Sequence, residues 1–116
     1  MQVIISHMNT DFDALASMLA AQKLYPQAKM VITDKQNTSV KQFLAIYRDS
    51  LSLIEEHQID WSSITSLILV DVASINRIGD FISELNLDQV DITLYDHHPP
   101  QEGDVIANPR FVEEVG

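Results

Sequence analysis

Ser6-His7-Met8-Asn9-Thr10-Asp11-Phe12-Asp13-Ala14-Leu15-Ala16-Ser17 sets one imidazole and two carboxylates within seven residues, between an apolar run and a helical one. On its amino-terminal side, Val3-Ile4-Ile5 is continuously apolar, so Gln2 to Ser6 reads as a strand buried on both faces. On its carboxyl side, Leu15, Met18, Leu19 and Gln22 recur at helical spacing. A helix over about Asp13 to Leu24 follows, capped by Asp11 or Asn9 and stopped by Pro26.

The same unit recurs along the chain. Met30-Val31-Ile32 gives a second strand over Lys29 to Thr33, and Asp34 to Thr38 reads as a polar loop. Ser39 with Gln42 forms a capping box for a helix carrying Val40, Phe43, Leu44 and Tyr47, and Leu51 to His57 reads as its helical continuation after a break at Asp49-Ser50. Ser66 to Val72 is the most hydrophobic strand, and Ser74 begins a helix with Ile75, Ile78, Ile82 and Leu85 as its apolar stripe. Asp91 to Tyr95 is a fourth strand; Pro99-Pro100 forces an extended exit, and Val105-Ile106-Ala107 offers a short fifth.

Strands alternating with helices of this length imply right-handed crossovers. The expected fold is therefore α/β, a doubly wound and mainly parallel sheet of four to five strands with helices on both faces. In such sheets ligands gather beyond the carboxyl ends of the strands. His7, Asp11, Asp71, Asp96, His97 and His98 all fall at or just past such ends. The stretch from Asn108 to Gly116 brings no closing element, which reads as an incomplete domain.

Composition narrows the function. At 116 residues the chain makes one domain or part of one, and 46% hydrophobic with 21% charged residues is ordinary globular usage. No apolar run approaches the roughly 20 residues that span a bilayer. The absence of cysteine excludes disulfides and thiolate metal sites and suits the cytoplasm. Seventeen acids against seven bases leave a net charge of −10, which lacks the electrostatic footprint of a general DNA binder. Phosphorylated substrates still fit if bound cations invert the local field.

Carboxylates and imidazoles without thiols describe a site for Mn²⁺, with Mg²⁺, Co²⁺ and Zn²⁺ as alternatives, and imidazole favours Mn²⁺ over Mg²⁺. Asp11 and Asp13, two apart, point in different directions and suit one ion each, with Asp71 as the candidate bridge. Two cations about 3.5–4 Å apart would grip phosphoryl oxygens and activate a shared water as hydroxide. Adjacent His97 and His98 could divide the work of neutral ligand and proton donor. Singly, each residue has an ordinary structural explanation: Asp11 as a helix cap, Asp71 as a loop acid, His7 as a satisfied core histidine, His97-His98 as an exposed turn. The convergence of all of them on one sheet edge is what favours a site. His57 lies in a polar stretch and reads as surface, as do Glu113 and Glu114.

His7-x-Asn9-x-Asp11-x-Asp13-Ala14, then Val70-Asp71, then Asp96-His97-His98 resembles the DHH phosphoesterases, from about Val3 to His98. The wording Asn9 to Ser17 is similar to members fused to CBS and tRNA nucleotidyltransferase or poly(A) polymerase domains. The resemblance implies a Mn²⁺-dependent hydrolase acting on a nucleotide, an oligonucleotide, single-stranded nucleic acid or pyrophosphate. It also implies roles. His7 and Asp11 would hold one metal, Asp13 and His97 the other, and Asp71 would bridge both. His98 would meet the substrate phosphate, with Asp96 and Asn9 supporting the ligands from behind. Two features depart from the pattern. Thr10 stands where many members have proline, and Gly116 precedes the family's fourth acidic motif and its C-terminal substrate domain.

The expectation is thus the N-terminal portion, residues 1–116, of a phosphoesterase that cleaves a phosphodiester, phosphomonoester or phosphoanhydride. The portion alone is expected to bind metal weakly and turn over little. Two rivals use the same residues differently. One is a catalytically silent module sensing a nucleotide or metal within a larger protein. The other is a receiver-like domain with a phosphorylated aspartate, which has no use for His7, His97 and His98.

Overall fold

The computed structural model describes residues 1–33, 36–51, 53–72, 78, 85, 89–96 and 110–112, with positions 48, 96 and 110–112 described by backbone only. In chain order these give β1 (Gln2–Ile5), α1 (Phe12–Leu24), β2 (Lys29–Ile32), α2 (Thr38–Tyr47), β3 (Leu53–Glu55), β4 (Ser66–Val70), β5 (Asp91–Asp96) and β6 (Arg110–Val112). Short 3₁₀ turns at Arg48–Ser50, Glu56–Gln58 and Trp61–Ser63 link α2, β3 and β4. Among the described residues the strands form one sheet, order β3-β2-β1-β4-β5-β6, with every pairing parallel. This is the doubly wound α/β architecture.

The sheet forms because its central strands are apolar on every residue. Val3, Ile4 and Ile5 have no exposed surface, and neither have Leu67, Ile68 and Leu69. Alternate residues serve opposite faces. Ile4, Met30, Ile68 and Val70 pack under Met18 and Ala21 of α1, while Val3, Ile5, Val31, Leu67 and Leu69 pack against Trp61, Ile64, Ile78 and Leu85. Fully burying one such side chain is worth about 1.5–3 kcal/mol, so neither face tolerates a polar residue. Helix α1 buries Ala14, Leu15, Met18 and Ala21, one stripe at helical spacing. Helix α2 sets Val40 and Leu44 against Leu15 and Ile32.

Three details differ from the sequence expectation. First, Leu53–Glu55 is a strand and not a continued helix: its Met30↔Leu53 and Val31↔Ile54 pairings cover the open edge of β2. Leu53 and Ile54 join clusters on opposite faces, the period-two signature that a short run conceals. The sheet is thus wider than four to five strands. Second, α2 starts at Thr38 under Asn37, whose side-chain oxygen accepts from the Ser39 amide at 2.9 Å, in place of a Ser39 cap. Third, the strand pairing with β5 is Arg110–Val112. Val105–Ala107, and all of the helix expected from Ser74 except the helical, fully buried Ile78 and the buried Leu85, lie outside the described residues. No helix among the described residues is long and apolar enough to cross a membrane.

Candidate metal centre

The strand order reverses direction between β1 and β4, the kind of switch point at whose carboxyl ends open α/β sheets gather ligands. Ser6 lies at this switch point. It is buried, and its hydroxyl donates to the Val70 carbonyl at 2.7 Å, joining the first residue past β1 to the last residue of β4.

His7 follows, buried to 5% exposure. Its Nδ1 lies 2.7 Å from the Met8 carbonyl oxygen. A carbonyl can only accept, so Nδ1 carries a proton, which makes Nε2 the ring nitrogen that can offer a lone pair. That is the tautomer a metal-ligating imidazole requires, with the far nitrogen held by a backbone acceptor. Asn9 then takes a left-handed conformation, φ 57°, which asparagine accepts more readily than most residues. The buried Thr10 braces the turn. Its hydroxyl donates to the His7 carbonyl at 3.0 Å, and its own carbonyl accepts from the Asn37 amide at 3.1 Å.

Asp11 caps α1: its Oδ1 accepts from the Ala14 amide at 2.9 Å. The same oxygen lies 3.9 Å from His7 Nε2. Capping occupies one of about four lone-pair positions on the carboxylate and leaves the others for a second partner. Asp71, the residue after β4, also lies in the left-handed region at φ 59°, and its amide donates to the Tyr95 carbonyl at 2.9 Å. Holding a non-glycine residue there costs on the order of 1 kcal/mol, and such outliers concentrate at functional sites.

Together His7, Asp11 and Asp71 each offer one ligand atom, and all of these lie within 4.8 Å of one another. One imidazole nitrogen and two carboxylates form a donor set for a hard or borderline divalent cation, and the orientation of His7 fits that role. The cation would also offset the mutual repulsion of the two acids. The sequence expected this group at these strand ends. Asp13, in the first turn of α1, is exposed and is not one of the three. Asp96 ends β5 beside β4, with only its backbone described, and His97 and His98 lie outside the described residues. His57 is a surface residue, its Nε2 3.2 Å from Glu55 Oε2.

One polar pair linking α1 to β5 carries no sequence signature. The hydroxyls of Tyr25, at the end of α1, and Tyr95, one residue before the end of β5, lie 2.8 Å apart with the rings edge to face at 6.4 Å. Partial burial first, then the hydrogen bond and the neighbouring phenol of Tyr25, push the Tyr95 hydroxyl up to about 12.

Comparison with known proteins gives two matches. The family model described as the DHH family, N-terminal domain, matches residues 2–114. An A-adding tRNA nucleotidyltransferase from Geobacter sulfurreducens is 42% identical over 117 aligned residues. That alignment takes in 100% of this chain and 13% of the relative, so the chain spans a small part of the length of the protein it matches.

Proposed function

The chain belongs to the DHH family, and on that premise we propose that it is the N-terminal portion of a metal-dependent phosphoesterase domain. The observation that supports this most is the approach of the His7, Asp11 and Asp71 ligand atoms to within 4.8 Å at the ends of adjacent strands. Mn²⁺ is the first candidate for an ion set between imidazole and carboxylates. His7 and Asp11 would hold one ion, Asp13 and His97 a second, and Asp71 would lie between them, with Asn9 and Asp96 supporting. When bound, such cations supply Lewis acidity toward a phosphoryl oxygen and make a water nucleophilic near neutral pH.

The chain's own groups do the rest. His7 offers a fixed Nε2 because Met8 holds the other nitrogen. Asp11 stays rigid because capping α1 immobilises its carboxylate. Asp71 is held by its left-handed backbone and by the hydrogen bond from its amide to the Tyr95 carbonyl. His98 would steady the phosphate and give a proton to the departing oxygen. The reaction class is hydrolysis of a phosphodiester, phosphomonoester or phosphoanhydride, the substrate a nucleotide, an oligonucleotide or single-stranded nucleic acid in the cytoplasm. The relative's name mentions tRNA, which puts RNA first among these.

A second reading is a silent nucleotide- or metal-sensing module inside a longer protein. It is favoured by one observation: the relative, of which the match covers 13%, is named for nucleotidyl transfer and not for hydrolysis. Calorimetric titration of the chain with Mn²⁺, followed by assay of the longer protein that carries this portion against nucleotides, short RNA, single-stranded DNA and pyrophosphate, separates the two. Binding and turnover that both vanish in Asp71→Asn support the hydrolase. Binding without turnover on any substrate supports the sensor. Turnover indifferent to Asp71→Asn removes Asp71 from the chemistry.

A further inference from the structure

Asp11 sits on an element that the sheet's own register does not fix, whereas Asp71 follows β4 directly and its amide extends the β4–β5 pairing. Asp11 is fixed at the start of α1, and Asp71 hangs by its amide from the Tyr95 carbonyl of β5. Helix α1 packs on β1, β2 and β4. The Tyr25–Tyr95 pair carries that contact one strand further, to β5. Both ends of the pair are anchored. The Tyr25 amide donates to the Ala21 carbonyl at 2.9 Å and its carbonyl accepts from the Ala28 amide at 3.0 Å. Tyr95 is held in register opposite Val70. A continuous path of covalent structure and hydrogen bonds therefore runs from Asp11 at one end of α1 to Tyr25 at the other, across the hydroxyls to Tyr95, and through its carbonyl to Asp71.

We propose that Tyr25 and Tyr95 are positioning residues: their hydroxyl bond fixes the spacing between α1 and the end of β5, and so holds the Asp71 carboxylate in reach of Asp11. The 2.8 Å bond joins side chains 70 residues apart, beside a ring contact that the hydroxyls are not needed to make. The hydroxyls are thus separable from the packing. Replacing either tyrosine by phenylalanine keeps the ring and deletes the bond.

The test uses the whole chain with two readouts, and the metal readout alone rests on the function proposed above. Exchange of the Asp71 amide with solvent, followed by NMR, should quicken about fivefold in Tyr25→Phe and in Tyr95→Phe, as expected where a supporting hydrogen bond is lost. Mn²⁺ affinity should fall about tenfold in each, the lower end for groups that orient ligands. The double variant should be no worse than either single one, since all three lack the same bond. Unchanged Asp71 exchange overturns the proposal whatever the metal does. Equal acceleration of amides throughout β1, β2 and β4 also overturns it, because the pair would then be general cohesion. If the parent chain takes up no Mn²⁺ while Asp71 exchange responds as stated, the metal reading fails and the positioning role stands.

Discussion

Asp71→Asn is the most informative single change, because its effects on stability and on metal binding should run in opposite directions. The substitution keeps the shape of the side chain and removes its charge. The backbone should not object: φ at this position is 59°, and asparagine, like aspartate, is enriched at positive φ. With no cation present, the parent chain holds the Asp71 carboxylate near that of Asp11, the ligand atoms at most 4.8 Å apart. Two full charges 4.8 Å apart repel by about 3.5 kcal/mol at an effective dielectric near 20. The Asp11 side chain is 50% exposed, so water screens most of this and about 1 kcal/mol survives. Relieving it should raise the melting temperature of the metal-free protein by about 4 °C, since a chain of 116 residues unfolds with an entropy of about 0.24 kcal/mol/K. Mn²⁺ affinity should fall by at least about 100-fold, the upper end of the cost when even a supporting group is lost. Differential scanning calorimetry in chelator and isothermal titration with Mn²⁺ measure the two effects on one sample. A variant that melts several degrees lower in chelator, or that binds Mn²⁺ as the parent does, would refute the reasoning, because Asp71 would then be a structural acid.

Asp11 separates capping from ligation in the same way. Asp11→Asn should keep the bond to the Ala14 amide and the melting temperature but lose metal affinity, whereas Asp11→Ala should lose both, with about 1 kcal/mol off stability by denaturant titration. Ser6→Ala removes the hydroxyl from which the Val70 carbonyl accepts at 2.7 Å, and should cost about 1 kcal/mol in the same assay. Tyr95 should give a tyrosinate absorbance step near pH 12 in place of the ordinary 10.0. Because the folded value is raised, the linked stability is fully present below about pH 10 and is lost as pH climbs through 10 to 12. The denaturation midpoint should therefore be level up to pH 10 and fall beyond it, with a smaller fall in Tyr25→Phe.

The sheet and its polar rim were legible because one physical fact governs both. A strand buried on two faces must be apolar throughout, so Val3-Ile4-Ile5 and Leu67-Ile68-Leu69-Val70 announced themselves, and the first polar residues after them had to lie at the rim. His7, Asp11 and Asp71 were found on that argument, and the structure brings their ligand atoms together. β3 was hidden because Leu51, Ile54 and Glu55 fit a helical spacing as well as an extended one, and only the open edge of β2 chooses between them. The cap of α2 was misread by two residues because Asn37 and Ser39 are both good capping residues, and the contact of Asn37 with Thr10 that favours it is tertiary. The tyrosine pair had no sequence signal, since neither residue belongs to a motif and their partners are chosen by how α1 lies across the sheet.

The crossing between β1 and β4 has a mechanical consequence. Ser6 and Val70 are separated by 64 positions, and that join is where the two windings of the polypeptide meet. An ion clasped by His7 and Asp11 on one side and Asp71 on the other would act as a rivet through the join. Any unzipping that begins there must first expel the ion, so occupancy would set the order in which the domain comes apart as well as its overall resistance to heat.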